Sequence, residues 1–122
     1  MKIDKNVIDI KKMQEFYEKF IKERNWEPFH NPKNLAMALS VEISELVELF
    51  QWINEKQSFE IVKNPIKKQA IKEEIADVFS YLIRLAGIFD IDIEKAFWEK
   101  FEKNQKKYPI DKSKELAKEL SS

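Results

Sequence analysis

Two acidic clusters sit inside apolar, helix-patterned segments, and they constrain the fold more than any other feature of this chain. The first cluster is VEISE, residues 41–45, and the second is EEIAD, residues 73–77. On a helical wheel, Glu42 falls in the middle of an apolar face. The other members of that face are Leu35, Leu39, Leu46, Leu49 and Ile53. A carboxylate in such a place loses its water, and without a partner it would become neutral or destabilise the fold.

Glu45 follows Glu42 at i+3, so the two carboxylates can converge on one point. Glu74 and Asp77 repeat this spacing on a second helical segment. Four acids brought together have one ready justification, a hard divalent cation such as Mg²⁺, with Mn²⁺ as the alternative. Because Mg²⁺ usually shares its coordination shell with phosphates, a nucleotide is the expected partner. For Glu74 and Asp77 the residue pattern fits an ordinary solvated face equally well.

Composition and periodicity favour an all-α fold. One glycine and four prolines argue against a turn-rich β protein. The apolar periodicity predicts four main helices, at about residues 8–24, 32–53, 64–89 and from 90 or 92 to 108, with a polar loop or short irregular turn over 54–63. We expect residues 1–109 to form a single four-main-helix bundle, followed by a charged tail or short helix over 110–122.

The charge balance excludes several classes of partner. The chain has 22 basic and 22 acidic residues, so it lacks the net field that favours nucleic acid or anionic membranes. No apolar run approaches the ~20 residues that cross a bilayer, and residues 1–5 lack the apolar segment of a signal peptide. The absence of cysteine suits a reducing compartment. These features predict a cytoplasmic protein that binds neither nucleic acid nor membrane.

The fourth predicted helix carries polar groups suited to phosphate. Lys100, Asn104 and Tyr108 follow one another at one-turn intervals. Lys100 read alone is equally a surface lysine, and Asn104 equally a satisfied buried amide. Aromatic rings that could stack on a nucleotide base, or simply fill the core, are those of Trp26, Phe29, His30 and Trp52.

The acid spacing resembles a known family signature. Glu42-x-x-Glu45, then 28 intervening residues, then Glu74-x-x-Asp77 is similar to the ExxE…ExxD pattern of the MazG-like all-α NTP pyrophosphohydrolases. Flanking blocks at residues 24–35, 45–52, 77–82 and 100–109 resemble the dCTP pyrophosphatase branch of that family. The resemblance implies a Mg²⁺ site formed by all four carboxylates. It also implies hydrolysis of a nucleoside triphosphate to monophosphate and pyrophosphate, with dCTP or a modified dCTP as substrate, in nucleotide-pool housecleaning.

The resemblance also assigns roles to the other candidates. It implies that Glu42 or Glu45 activates water and that one subunit of a homodimer or homotetramer completes its neighbour's pocket. The implied phosphate contacts are Lys100, Asn104 and Tyr108 with Tyr81 beside them, and the implied base pocket is Trp26, His30 and Trp52. Tyr17 stands where dCTP-preferring relatives can carry histidine, so dUTP or a damaged nucleotide stays open as substrate. A non-catalytic helical module that binds a protein partner is the alternative from another class.

Overall fold

The computed structural model describes residues 7–121, and within that range the chain is helical and contains no strand. The α-helices are α1 (Ile10–Glu23), α2 (Pro32–Glu48), α3 (Glu55–Glu60), α4 (Pro65–Ile88), α5 (Ile93–Lys107) and α6 (Ile110–Ser121). Short 3₁₀ turns cover Glu27–Phe29 and Ile61–Lys63. The predicted all-α class is confirmed.

Two Asn-Pro pairs set the starts of the long helices, as their sequence predicts. The Asn31 side chain accepts a hydrogen bond from the Asn34 N–H at 2.9 Å, and Pro32 is the first residue of α2. Asn64 caps α4 in the same way, at 2.9 Å from the Ile66 N–H. An asparagine cap satisfies an N–H that has no partner inside the helix, and proline has no N–H to lose there.

The predicted end of α2 and the predicted polar loop after it are both wrong. The helix ends at Glu48 instead of continuing to Ile53. Its last turn is tightened by backbone hydrogen bonds between residues three apart, because the Leu49 N–H donates to the Leu46 carbonyl. Helix α3 occupies the predicted loop. Asn54 and Gln57 start it with a reciprocal capping box, in which each side chain accepts a hydrogen bond from the other residue's backbone N–H, at 2.8 and 3.0 Å.

Asn25 and Asp90 follow the ends of α1 and α4, and their backbone conformations do not continue the helix. They adopt left-handed backbone conformations, with φ of 55° and 53°. Short polar side chains tolerate this region better than other non-glycine residues do. The connection between α1 and α2, which carries the rings of Trp26, Phe29 and His30, therefore turns away from the helical path directly after α1.

Helix α4 is the centre of the first part of the chain. Both α1 and α2 pack against it. The buried apolar side chains are Ile21 from α1, Leu35 from α2, and Ile83 and Ala86 from α4. One polar link joins α1 to α4, since the Gln14 amide Nε2 donates to the Ile83 carbonyl at 2.7 Å. This packing holds one face of α4 against both partner helices.

The chain divides into two compact units, one through Asp90 and one from Ile91 onward. The first contains α1 to α4, and the second contains α5 and α6. The predicted domain limits, residues 1–109 and 110–122, stay a prediction. Residues 1–5, on which the signal-peptide argument depends, and Ser122 lie outside the described residues. No helix within residues 7–121 combines the length and apolarity needed to span a bilayer.

Candidate active site

Helices α2 and α4 bring three of the four predicted metal ligands together. Glu42 and Glu45 come from α2 and Glu74 from α4, and one carboxylate oxygen of each lies within 4.8 Å of the others. We call these three residues the acid cluster. Glu42 and Glu74 are half-buried, whereas Glu45 is exposed. Asp77, the fourth predicted ligand, is exposed one turn further along α4 and is not part of this group.

The acid cluster takes up a proton close to neutral pH. A hydrogen bond from protonated Glu42 to Glu74 raises the pKa of Glu42 to about 7, and burial and the charges of Glu45 and Glu74 add to that rise. Accepting this bond lowers the pKa of Glu74. Burial and the charges of Glu45 and Asp77 outweigh that effect, so the pKa of Glu74 is also raised. Crowded carboxylates cannot all ionise without a compensating charge.

The acid cluster fits a hard divalent cation. The Oε2 atoms of Glu42 and Glu74 are buried, and apart from the contact between the acids themselves neither atom has a hydrogen-bond partner among the described residues. Buried carboxylate oxygens without a donor are costly, and a cation would supply the missing partner. All the candidate ligands are carboxylates, the donor type that suits Mg²⁺ and Mn²⁺. The donor set and its unsatisfied oxygens therefore match the predicted kind of metal.

A cavity of about 230 Å³ adjoins the acid cluster. Helix α4 contributes Asp77, Ser80, Tyr81 and Arg84, and α2 contributes Glu42. The four α4 residues share one helical face because they follow one another at the spacing i, i+3, i+4, i+7. The cavity thus continues from the acids along α4.

Aromatic side chains also line this cavity. Tyr17 and Phe20 come from α1, and Trp26 and His30 from the connection before α2. The Trp26 and His30 rings are nearly parallel, with 6° between their planes and 6.3 Å between their centroids. Phe20 meets the edge of Trp26 at a centroid distance of 5.8 Å. Two predicted base-pocket residues, Trp26 and His30, therefore lie at the same cavity as Glu42.

Two polar groups of the cavity are neutral near pH 7. Burial, and then the negative charges of Glu42 and Asp77, raise the pKa of the Tyr81 hydroxyl, so it remains a hydrogen-bond donor. Burial, and then the positive charge of Arg84, lower the pKa of His30. A neutral imidazole has one donor and one acceptor nitrogen, and its Nδ1 is buried without a hydrogen-bond partner in the described chain.

The remaining candidates lie further along the chain, at Trp52 and on α5. Trp52 follows the end of α2, is 88% exposed, and does not line the cavity. Lys100 and Asn104 lie on α5 and Tyr108 caps its end. Of these three, Asn104 is half-buried and the other two are exposed. All three belong to the second compact unit.

Sequence reasoning missed three residues of the cavity. Phe20 of α1 and Ser80 and Arg84 of α4 line the cavity but were not among the sequence candidates. For Ser80 and Arg84 the sequence offered one signal, their spacing, because positions 80, 81 and 84 lie on the same helical face as Asp77. Ser80 already donates its hydroxyl hydrogen to the Ala76 carbonyl at 2.8 Å, whereas Arg84 has no such bond.

Comparison with known proteins places the chain in a family. The model of the MazG-like family matches residues 37–122, and the chain belongs to that family. A crystal structure of a pyrophosphatase from Archaeoglobus fulgidus DSM 4304 is similar over 88% of this chain and 99% of its own, with a TM-score of 0.77 and 37% sequence identity.

The chain is also similar to mammalian proteins named dCTP pyrophosphatase 1. The protein of Rattus norvegicus is 36% identical over 105 residues, which cover 86% of this chain and 62% of the rat protein. That of Homo sapiens is 37% identical over 97 residues, which cover 80% of this chain and 57% of the human protein. The chain thus spans about three fifths of the length of these relatives.

Proposed function

We propose that this protein is a metal-dependent nucleoside triphosphate pyrophosphohydrolase. Its substrate would be dCTP or a modified dCTP, its products the monophosphate and pyrophosphate, and its role nucleotide-pool housecleaning. The observation that carries the proposal is the acid cluster of Glu42, Glu45 and Glu74 beside an aromatic-walled cavity. The names of the pyrophosphatase relatives support the same reaction.

The metal site would consist of Glu42, Glu45 and Glu74, with Asp77 as the fourth ligand. When bound there, Mg²⁺ or Mn²⁺ supplies positive charge that offsets the charge of the triphosphate. Glu42 must first give up the proton that it shares with Glu74, since metal ligands bind in their ionised form.

The reaction requires a carboxylate that takes a proton from water. The water oxygen attacks the α-phosphorus, its proton passes to the carboxylate of Glu42 or Glu45, and the α–β anhydride bond breaks to release pyrophosphate. A general base works best when its pKa lies near the operating pH, a condition that Glu42 meets in the metal-free protein.

The nucleoside would occupy the aromatic part of the cavity. Trp26 and His30 offer ring faces, and base stacking on aromatic side chains is favourable for every base. The Tyr81 hydroxyl is a neutral donor in the same cavity. Two sets of contacts stay predictions from the family resemblance. They are the phosphate contacts of Lys100, Asn104 and Tyr108 and the base contact of Trp52.

We further propose that the protein is a homodimer or homotetramer. On α2, the side chains of Met37, Val41 and Val47 are each more than half exposed. Phe97 and Trp98 on α5 are likewise more than half exposed. Large apolar side chains exposed on a helix support an interface with another copy of the chain. The cytoplasmic location and the absence of nucleic-acid and membrane partners stay predictions of the sequence.

Pyrophosphate release across a panel of triphosphates, with and without Mg²⁺, tests the proposed reaction. Glu45→Gln should abolish Mg²⁺-dependent release while leaving the helical circular dichroism unchanged, because the amide keeps the shape and loses the charge. Glu48→Gln, an exposed acid one turn further along α2, is the matched control.

Undiminished turnover in the Glu45→Gln protein would refute the metal assignment. A wild-type protein that releases no pyrophosphate, and whose melting temperature does not rise with Mg²⁺ and nucleotide, would instead favour the non-catalytic interaction module.

A further inference from the structure

Arg84 is an unpaired cation at the cavity. Its side chain is half-buried, and its Nε is buried without a hydrogen-bond partner. In contrast, the lysine–carboxylate ion pairs found within residues 7–121 are all on exposed side chains, and none includes Arg84. Among the described residues that line this cavity, Arg84 is the only one with a permanent positive charge. A buried guanidinium N–H without an acceptor is costly, which points to a ligand that supplies one.

Arg84 lies at the opposite end of the cavity from the acid cluster. Helices α2 and α4 run antiparallel, since Glu42 meets Glu74, whereas His30, just before α2, experiences the charge of Arg84. Arg84 lies seven positions after Asp77, which is about 10 Å along the helix axis. With the triphosphate of the proposed substrate held at the acids, its nucleoside would lie toward Arg84.

The ring faces of Trp26 and His30 cannot by themselves distinguish one base from another. Stacking on aromatic rings tolerates every base. A neutral His30 can donate or accept, depending on its tautomer, so it accommodates either kind of base edge. The Ser80 hydroxyl already donates to a backbone carbonyl. Arg84 differs because a guanidinium only donates, through a rigid fork of N–H groups.

We propose that Arg84 reads the edge of the base and selects cytosine through its two neighbouring acceptors, O2 and N3. This inference rests on the function proposed above and makes Arg84 a specificity-determining residue of that reaction. Uracil and thymine carry a hydrogen on N3, so the fork would lose one bond and face another donor. Arginine recognises guanine in DNA by the same logic, with two donors directed at two adjacent acceptors.

The test compares wild-type protein with Arg84→Lys, which keeps the positive charge and loses the fork. Pyrophosphate release from dCTP and dUTP gives kcat and KM, and inhibition by inorganic tripolyphosphate reports phosphate binding without a base. We expect KM for dCTP to rise roughly tenfold to a hundredfold, which is the range for one good bidentate base contact. KM for dUTP and inhibition by tripolyphosphate should change by less than about threefold, because lysine can still make the single bond that uracil accepts and tripolyphosphate has no base. Lys67→Met, an exposed cation at the start of α4, is the control.

Equal losses for dCTP, dUTP and tripolyphosphate would show that Arg84 binds phosphate and would overturn the base-reading role. An unchanged ratio of dCTP to dUTP efficiency would overturn it as well. Calorimetric binding of dCMP and dUMP to both proteins separates this inference from the proposed reaction. If the wild type hydrolyses no triphosphate but binds dCMP more tightly than dUMP, and Arg84→Lys removes that preference, the reaction fails and the base-reading role stands.

Discussion

Metal binding should expel the proton that Glu42 shares with Glu74. The pKa of Glu42 is raised to about 7, so in the metal-free protein its carboxyl is about 90% protonated near pH 6, about half protonated near pH 7 and about 10% protonated near pH 8. Mg²⁺ binds the ionised carboxylate. Titration with Mg²⁺ should therefore release about 0.9, 0.5 and 0.1 proton per site at these three pH values.

Isothermal titration calorimetry in buffers of different ionisation enthalpy counts those protons directly. The Glu42→Gln protein should bind Mg²⁺ more weakly and release far fewer protons near pH 6, because an amide cannot ionise and its N–H can still donate to Glu74. Glu48→Gln should match the wild type, since Glu48 is exposed and is not one of the clustered acids. A proton count near zero at pH 6, or one that Glu42→Gln leaves unchanged, would refute the shared proton.

The same proton affects stability in the absence of metal. Because folding raises the pKa of Glu42 from 4.5, its contribution to stability is fully present below 4.5 and is lost as the pH rises through about 7. The melting temperature of the metal-free wild type should consequently fall more between about pH 6 and pH 8 than that of Glu42→Gln. Saturating Mg²⁺ should reverse the wild-type loss, because it supplies the missing positive charge.

Three further predictions concern the core, the phosphate contacts and the assembly. Leu35 is 2% exposed, so Leu35→Ala should lower the free energy of unfolding in urea by about 2–5 kcal/mol. The control is Leu120→Ala, which should change that free energy by less than about 0.5 kcal/mol because Leu120 is 79% exposed. Asn104→Ala should raise KM for the triphosphate with a smaller effect on kcat, and an unchanged KM would contradict a phosphate contact there. Sedimentation should show a dimer or tetramer at micromolar concentration, and a monomer would contradict the proposed assembly.

Local signals made the helical skeleton predictable. Asn31-Pro32 and Asn64-Pro65 mark the starts of α2 and α4, because cap and proline act within a few residues and need no distant partner. The capping box between Asn54 and Gln57 is equally local, so α3 could have been predicted from it.

The metal site was only partly predictable. Glu42 stands out in the sequence because a carboxylate on an apolar face requires a partner. The i, i+3 spacing of acids along each helix identified Glu45, Glu74 and Asp77 as candidates. It did not show which carboxylates come into contact. The packing of α2 against α4 decided that, by bringing Glu42, Glu45 and Glu74 within 4.8 Å and leaving Asp77 outside this group.

The sequence by itself determined the helices, the acidic pairs and the family resemblance, since each depends on spacing along one segment. Only the tertiary structure decided what lies across the cavity from the acids. Arg84 and His30 are 54 positions apart in the chain, and no periodicity relates them. Their approach depends on the antiparallel packing of α2 along α4, which places the connection before α2 beside the last turns of α4. That packing buries the Nε of Arg84 without a hydrogen-bond partner among the described residues, beside the cavity that would hold the nucleoside.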